Sequence, residues 1–183
     1  EPKHQLQKNV VKWRTVADVL NRTLGEDRKA VKIGVTCAGV IPFYTGMPTL
    51  DLLGLNDRNV ALEGNRIIAL VPLLGNRPGH VRMASQKQVR EKGVHLLLND
   101  PWVVSDEEMR HLSAEQVRRR WSVPADGDER RITWEMVEWP EDSGFLSVVA
   151  WPCGGENHLL SLYVRQNERI DAAIKRSGAT VLQ

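Results

Sequence analysis

Residues 31–58 read VKIGVTCAGVIPFYTGMPTLDLLGLNDR, and the parsing of this stretch decides the fold. Val31, Ile33 and Val35 alternate with Lys32 and Gly34, so 32–36 has the period of a buried strand. The small residues Cys37, Ala38 and Gly39 follow, and the glycine permits a sharp turn at the strand's carboxyl end. Ligands tend to sit at that end in open α/β sheets. Past the corner, Pro42 and Pro48 argue against helix, while Asp51 and Asp57 flank the apolar segment Leu52-Leu53-Gly54-Leu55. Two carboxylates therefore arrive at one tight loop, which reads as built around something polar.

Working outward, 9–24 carries Trp13, Val16, Ala17, Leu20 and Leu24 at helical spacing, with Gly25 as a stop. This predicts a helix packed on a sheet, feeding the 31–36 strand through a charged turn. On the other side, 57–62 reads as a short helical turn, 67–71 as a short strand or ordered loop, and 81–92 as a helix opened by His80 and closed by Gly93. Residues 94–98 form a second buried strand. Ser105 and Glu108 match a capping box, predicting a surface helix to about 121. The last third changes character: 132–139 and 145–151 read as hairpin strands around a Pro-Glu-Asp-Ser-Gly turn. A third strand over 157–164 follows a Pro152-Cys153-Gly154-Gly155 loop, and a closing helix spans 168–175. The expected fold is α/β, with a mixed sheet built from Rossmann-like N-terminal helix-strand units and a C-terminal antiparallel meander. One domain spans 1–183, its motif-bearing part being 1–103 and the helix, meander and closing helix occupying 104–183.

Length and composition agree with a single globular domain, since a chain of 183 residues buries about 70% of its unfolded surface. The 25 basic and 23 acidic residues leave a net charge of +2, so no strong field invites nucleic acid or a membrane surface. No apolar run approaches the ~18 residues of a membrane span, and 1–9 is too polar for a signal peptide. The first residue is Glu rather than Met, which points to a processed protein or an excised piece. Cys37 and Cys153 have neither metal spacing nor a C-x-x-C pattern. They are two buried thiols or, in an exported protein, a disulfide closing a long loop and contributing ~3–5 kcal/mol.

The central stretch also resembles a known family. The run Gly39, Ile41, Pro42, Phe43, Tyr44, Thr45, Gly46, Pro48, then Leu50, Asp51, Leu53, Gly54, Leu55, Asn56, Asp57, with Gly79-His80 further on, is similar to the C-terminal extracytoplasmic domain of bacterial GT-C type membrane glycosyltransferases. These multi-pass proteins use polyprenyl-phosphate sugars and include arabinofuranosyltransferase-like and mannosyltransferase-like members. The resemblance covers 31–98 and thins beyond. It implies a periplasmic location on the extracytoplasmic face of the bacterial inner membrane. It also implies a membrane domain of the same protein as partner, following which the 9–24 helix would emerge, and a catalytic carboxylate in that membrane domain.

Candidate chemistry concentrates in the same stretch. Asp51, Asp57 and Arg58 can bind sugar hydroxyls or a metal, or the aspartates can cap turns by accepting from their own backbone amides. Tyr44 joins them as a contact, and His80 as a base, ligand or helix-opening group. The other histidines, His4, His95, His111 and His158, read as structural. No G-x-G-x-x-G, Walker A, G-x-S-x-G or H-E-x-x-H pattern occurs. A Cys37 nucleophile with His80 as base is a further alternative, since the corner after a strand is where hydrolases place nucleophiles. Six Trp stand against two Tyr and two Phe; Trp102, Trp139 and Trp151 are the candidates for an exposed glycan platform, the remainder for core. Arg118-Arg119-Arg120 with Arg130-Arg131 reads as a solvated basic face or an anion contact. The expected function is an accessory domain, not catalytic alone, needing no cofactor or metal and positioning a cell-envelope glycan or polyprenyl-phosphate sugar through Asp51, Asp57, Arg58, Tyr44 and His80. The alternatives are a small hydrolase or transferase using Asp51, Asp57 and His80, or a structural or protein-interaction domain whose loop is dry and fully hydrogen-bonded.

Overall fold

The computed structural model describes residues 2–36, 38–66, 82–99, 101–120 and 147–182, and their side chains except at 2–9, 66, 99 and 118–120. It is a mixed α/β fold. Helix α1 (Pro2–Leu24) leads through a 3-10 turn into β1 (Ile33–Val35), α2 (Val40–Thr45), β2 (Thr49–Asp51) and α3 (Arg58–Glu63). Next come β3 (Asn65–Arg66), β4 (Arg82–Met83), α4 (Gln86–Glu91), β5 (Leu96–Asn99), β6 (Val103–Ser105), α5 (Asp106–Arg110) and α6 (Ala114–Arg120). The chain closes with β7 (Ser147–Gly154), β8 (Asn157–Tyr163), α7 (Glu168–Ser177) and β9 (Thr180–Leu182).

Seven of these strands form one sheet in the order β2-β1-β5-β8-β7-β9, with β6 also on β8. β2, β1 and β5 run parallel, and β8, β7 and β9 continue antiparallel. The β5–β8 pairing, Leu96 opposite Tyr163 and Leu97 opposite Leu162, joins the motif-bearing part to the meander. Period-two alternation divides the side chains between two cores. Ile33, Val35, Leu96, Leu98, Val149, Trp151 and Leu159 face α1, α2 and α7, burying Val16, Leu20, Ile41 and Ile170 against them. Leu50, Leu97, Val148, Ala150, Leu160 and Leu162 face the other way, onto Val60 of α3, Val89 of α4 and Val117 of α6. Gly34 belongs to this second face; a Cβ there would come within 2.6 Å of Leu97.

Several sequence expectations need correction. Pro42 does not forbid helix: it lies in the first turn of α2, where its missing N–H has no intrahelical carbonyl to serve. The helix expected from His80 gives way to β4 and a later start, because Ser85 and Gln88 form a capping box with reciprocal bonds of 3.1 and 2.9 Å. The single helix expected over 105–121 is two, since Ser113 and Gln116 make a second reciprocal cap that restarts the chain as α6. Pro152 and Cys153 are in β7 rather than in a loop. β9 pairs only with residues 148–150, so Pro152 lies beyond it, opposite His158 of β8 and at the start of the irregularity that ends the β7–β8 ladder. The 132–139 strand, with Trp121, Trp134, Trp139 and Arg130-Arg131, lies outside the described residues, as does 67–71.

Candidate functional site

The motif forms the corners at the carboxyl ends of β1 and β2. Because these strands are parallel and adjacent, their following loops emerge at the same edge. The loop after β2 is ordered by Asp51, which is 3% exposed. Its Oδ1 accepts from Leu53 N at 3.0 Å, and its Oδ2 from Asn56 N at 2.8 Å and Asn56 Nδ2 at 3.4 Å. Three donors on one buried carboxylate satisfy most of its acceptor capacity. Leu52 N donates to Val35 O at 2.9 Å, and Ala84 N to Leu52 O at 2.8 Å, so the loop is sewn to β1 and to the end of β4. Gly54 turns it with φ +73°.

Asp57 then starts α3. Its Oδ1 accepts from Asn59 N at 3.0 Å and Val60 N at 3.2 Å, the geometry of a helix N-cap. Oδ2 lies 3.9 Å from Lys92 Nζ, a loose, partly buried pair. Asp51 and Asp57 thus share a loop but engage separate donors, and each acts as a backbone acceptor. Arg58, the first residue of α3, is exposed.

Tyr44 belongs to α2, packed on α1. The Tyr44 carbonyl accepts from Asn21 Nδ2 at 3.1 Å, and Arg28 Nε donates to Thr45 O at 2.9 Å, which fixes the helix end. Tyr44 is 42% exposed, with the Arg14 guanidinium 5.1 Å from its ring centroid and the Phe43 ring edge-on at 5.1 Å. Phe43 itself is 82% exposed. Phe43 and Arg14 were absent from the sequence candidates. Reading Pro42 as a helix breaker concealed that α2 presents Phe43 beside Tyr44. His80 and Cys37 lie outside the described residues.

A family described as a domain of unknown function, DUF8728, matches residues 3–143. The chain belongs to the DUF8728 family. The match runs from α1 through the motif and α6 and stops just short of β7, so the β7–β8 hairpin of this chain lies beyond it. No curated protein and no solved structure matches the chain.

Elsewhere one reading changes. Trp151 is not an exposed platform: it is fully buried, and its Nε1 donates to Ser161 Oγ at 2.8 Å. His158 Nδ1, on β8, lies 3.0 Å from Asp106 Oδ1 at the start of α5, a close approach that lacks hydrogen-bond geometry. Cys153 is a half-buried free thiol whose burial raises its pKa, the opposite of an activated nucleophile. Among the described residues no group of three or more His, Cys, Asp or Glu is placed to hold a metal, and no helix is long and apolar enough to cross a membrane.

Proposed function

We propose that this chain is the extracytoplasmic accessory domain of a bacterial, polyprenyl-phosphate-sugar-dependent membrane glycosyltransferase-like protein. In this reading it positions a cell-envelope glycan and does not transfer sugar by itself. The observation that carries the reading is the exposed Phe43-Tyr44 pair on a rigid, motif-built corner. Aromatic faces bind the C–H faces of sugar rings, and a helix pinned at both sides holds such faces in place. Arg58, at the neighbouring corner, offers hydroxyl or phosphate contacts. Asp51 and Asp57 are the framework: they order the loop by accepting from its amides, which is why the motif needs them at those positions.

Saturation-transfer NMR on the chain with a panel of cell-envelope oligosaccharides and polyprenyl-phosphate head-group analogues tests this. Saturable binding is expected with at least one compound, weakened about tenfold by Phe43→Ala combined with Tyr44→Ala. Absence of binding across the panel, or affinity indifferent to both aromatics, would sink the reading. A purified chain that hydrolyses small glycosides or esters would favour the stand-alone enzyme instead.

A further inference from the structure

The Trp102 stretch follows the carboxyl end of β5 just as the motif loops follow β1 and β2, so it emerges at the same sheet edge. There Trp102, Glu107, Glu108, His111 and Leu112 line an open cavity of about 370 Å³. That is near the lower end of small-molecule sites, about 300–1,000 Å³. We infer that this cavity binds a neutral sugar ring, stacked on Trp102 with its hydroxyls met by Glu107, Glu108 and His111.

The walls are fixed. Trp102 and Leu112 pack against the second core, and the Trp102 carbonyl accepts from Leu160 N at 2.9 Å in the central strand. Glu108 is held by two bonds from Ser105, N at 2.8 Å and Oγ at 3.1 Å, both to Oε2. Asp106 N donates to Glu156 O at 2.8 Å, so α5 is anchored to the turn between β7 and β8. A pre-formed, partly apolar floor with polar groups at its rim loses little freedom on binding.

The chemistry selects the ligand. Ser105 holds the Glu108 carboxyl below its usual range, so it is ionised at neutral pH, and with Glu107 it makes the rim negative. Phosphorylated sugars are therefore disfavoured. A quaternary ammonium is recognised by a cage of aromatic faces, whereas this cavity has one. Carboxylate acceptors beside an imidazole N–H donor complement vicinal hydroxyls, and one indole face suits one pyranose ring. The site is distinct from the Phe43-Tyr44 surface. Under the accessory-domain reading it would take the uncharged acceptor rather than the phosphate-bearing donor.

The test is a ¹H–¹⁵N titration of the chain with mannotriose, maltotriose and cellotriose, and with mannose 6-phosphate as the charged comparison. At least one neutral trisaccharide should shift the Trp102 indole resonance saturably, with a Kd on the order of 1 mM and at least about tenfold tighter than the phosphate. Trp102→Ala should remove the shift. Should that variant fail to fold, the exposed-rim changes Glu107→Gln and His111→Ala should each weaken binding by about threefold to tenfold at unchanged stability. No saturable Trp102 shift with any neutral sugar would overturn the inference, as would equal binding of mannose 6-phosphate. Shifts confined to Phe43, Tyr44 and Arg58 would overturn it while leaving the accessory-domain reading standing; shifts confined to Trp102 would do the reverse for the Tyr44 surface.

Discussion

Single side chains here hold backbone that the strands alone leave open. His95 Nδ1 accepts from Lys32 N at 3.0 Å, just before β1 and β5 begin to pair. Only an imidazole with an unprotonated Nδ1 can accept that bond. Burial first, then the Arg165 and Lys32 cations, push the His95 pKa below its ordinary 6.5. The sign follows. In the window below 6.5 the unfolded chain takes up the proton before the folded chain does, so stability rises with pH there and is lost on acidification. Urea midpoints measured at about pH 7.5 and pH 5 should show this loss, and His95→Asn should diminish the difference. A midpoint difference unchanged by His95→Asn would assign the acid sensitivity to other groups. None of this was legible in the sequence, where His95 has no partner at any recognisable spacing. Lys32 is distant along the chain and supplies a backbone amide, which any residue but proline carries.

Elements were legible where the sequence carries a local mechanism. The 3.6 period of α1, the Ser105–Glu108 box and the Asp57 cap all act within a turn or two. The three-residue strands β2, β6 and β9 were not, because too few residues alternate to show a period and their identity comes from the strand beside them. Their legibility bears on the motif directly. The segment flanked by Asp51 and Asp57 reads as one tight loop, and in the structure Asp51 is the last residue of β2, with the loop following it. The loop and α3 approach so closely that a Cβ on Gly54 would lie 2.6 Å from Ala61 N, at a φ of +73°. Gly54→Ala should therefore destabilise the fold by about 2–4 kcal/mol, combining a left-handed alanine with a backbone clash. Chemical denaturation checks it; a loss near zero would mean that the loop and α3 separate freely.

Across the whole molecule, the motif, the Trp102 cavity and the basic and aromatic α1–α2 surface are parts of one scaffold, because β8 carries the meander into the centre of the sheet. The α/β class and the helix-strand-to-meander order follow from the sequence, since burial on both faces writes apolar runs into β5, β7 and β8. The candidate site was legible only as a location. The sequence places Asp51, Asp57, Arg58 and Tyr44 in one stretch, but whether a carboxylate faces a ligand or its own amides depends on a few dihedrals that composition does not encode. In the accessory-domain reading, Asp51 supports the loop and the aromatics contact the glycan. The most direct measurement determines unfolding free energy and oligosaccharide affinity side by side for Asp51→Asn and Tyr44→Ala. Asp51→Asn should lose about 1–3 kcal/mol of stability, with the affinity of its folded fraction unchanged, and Tyr44→Ala should keep stability within about 1 kcal/mol while losing affinity. Asp51→Asn that abolishes binding at undiminished stability would contradict the account and make the buried carboxylate itself the recognition group.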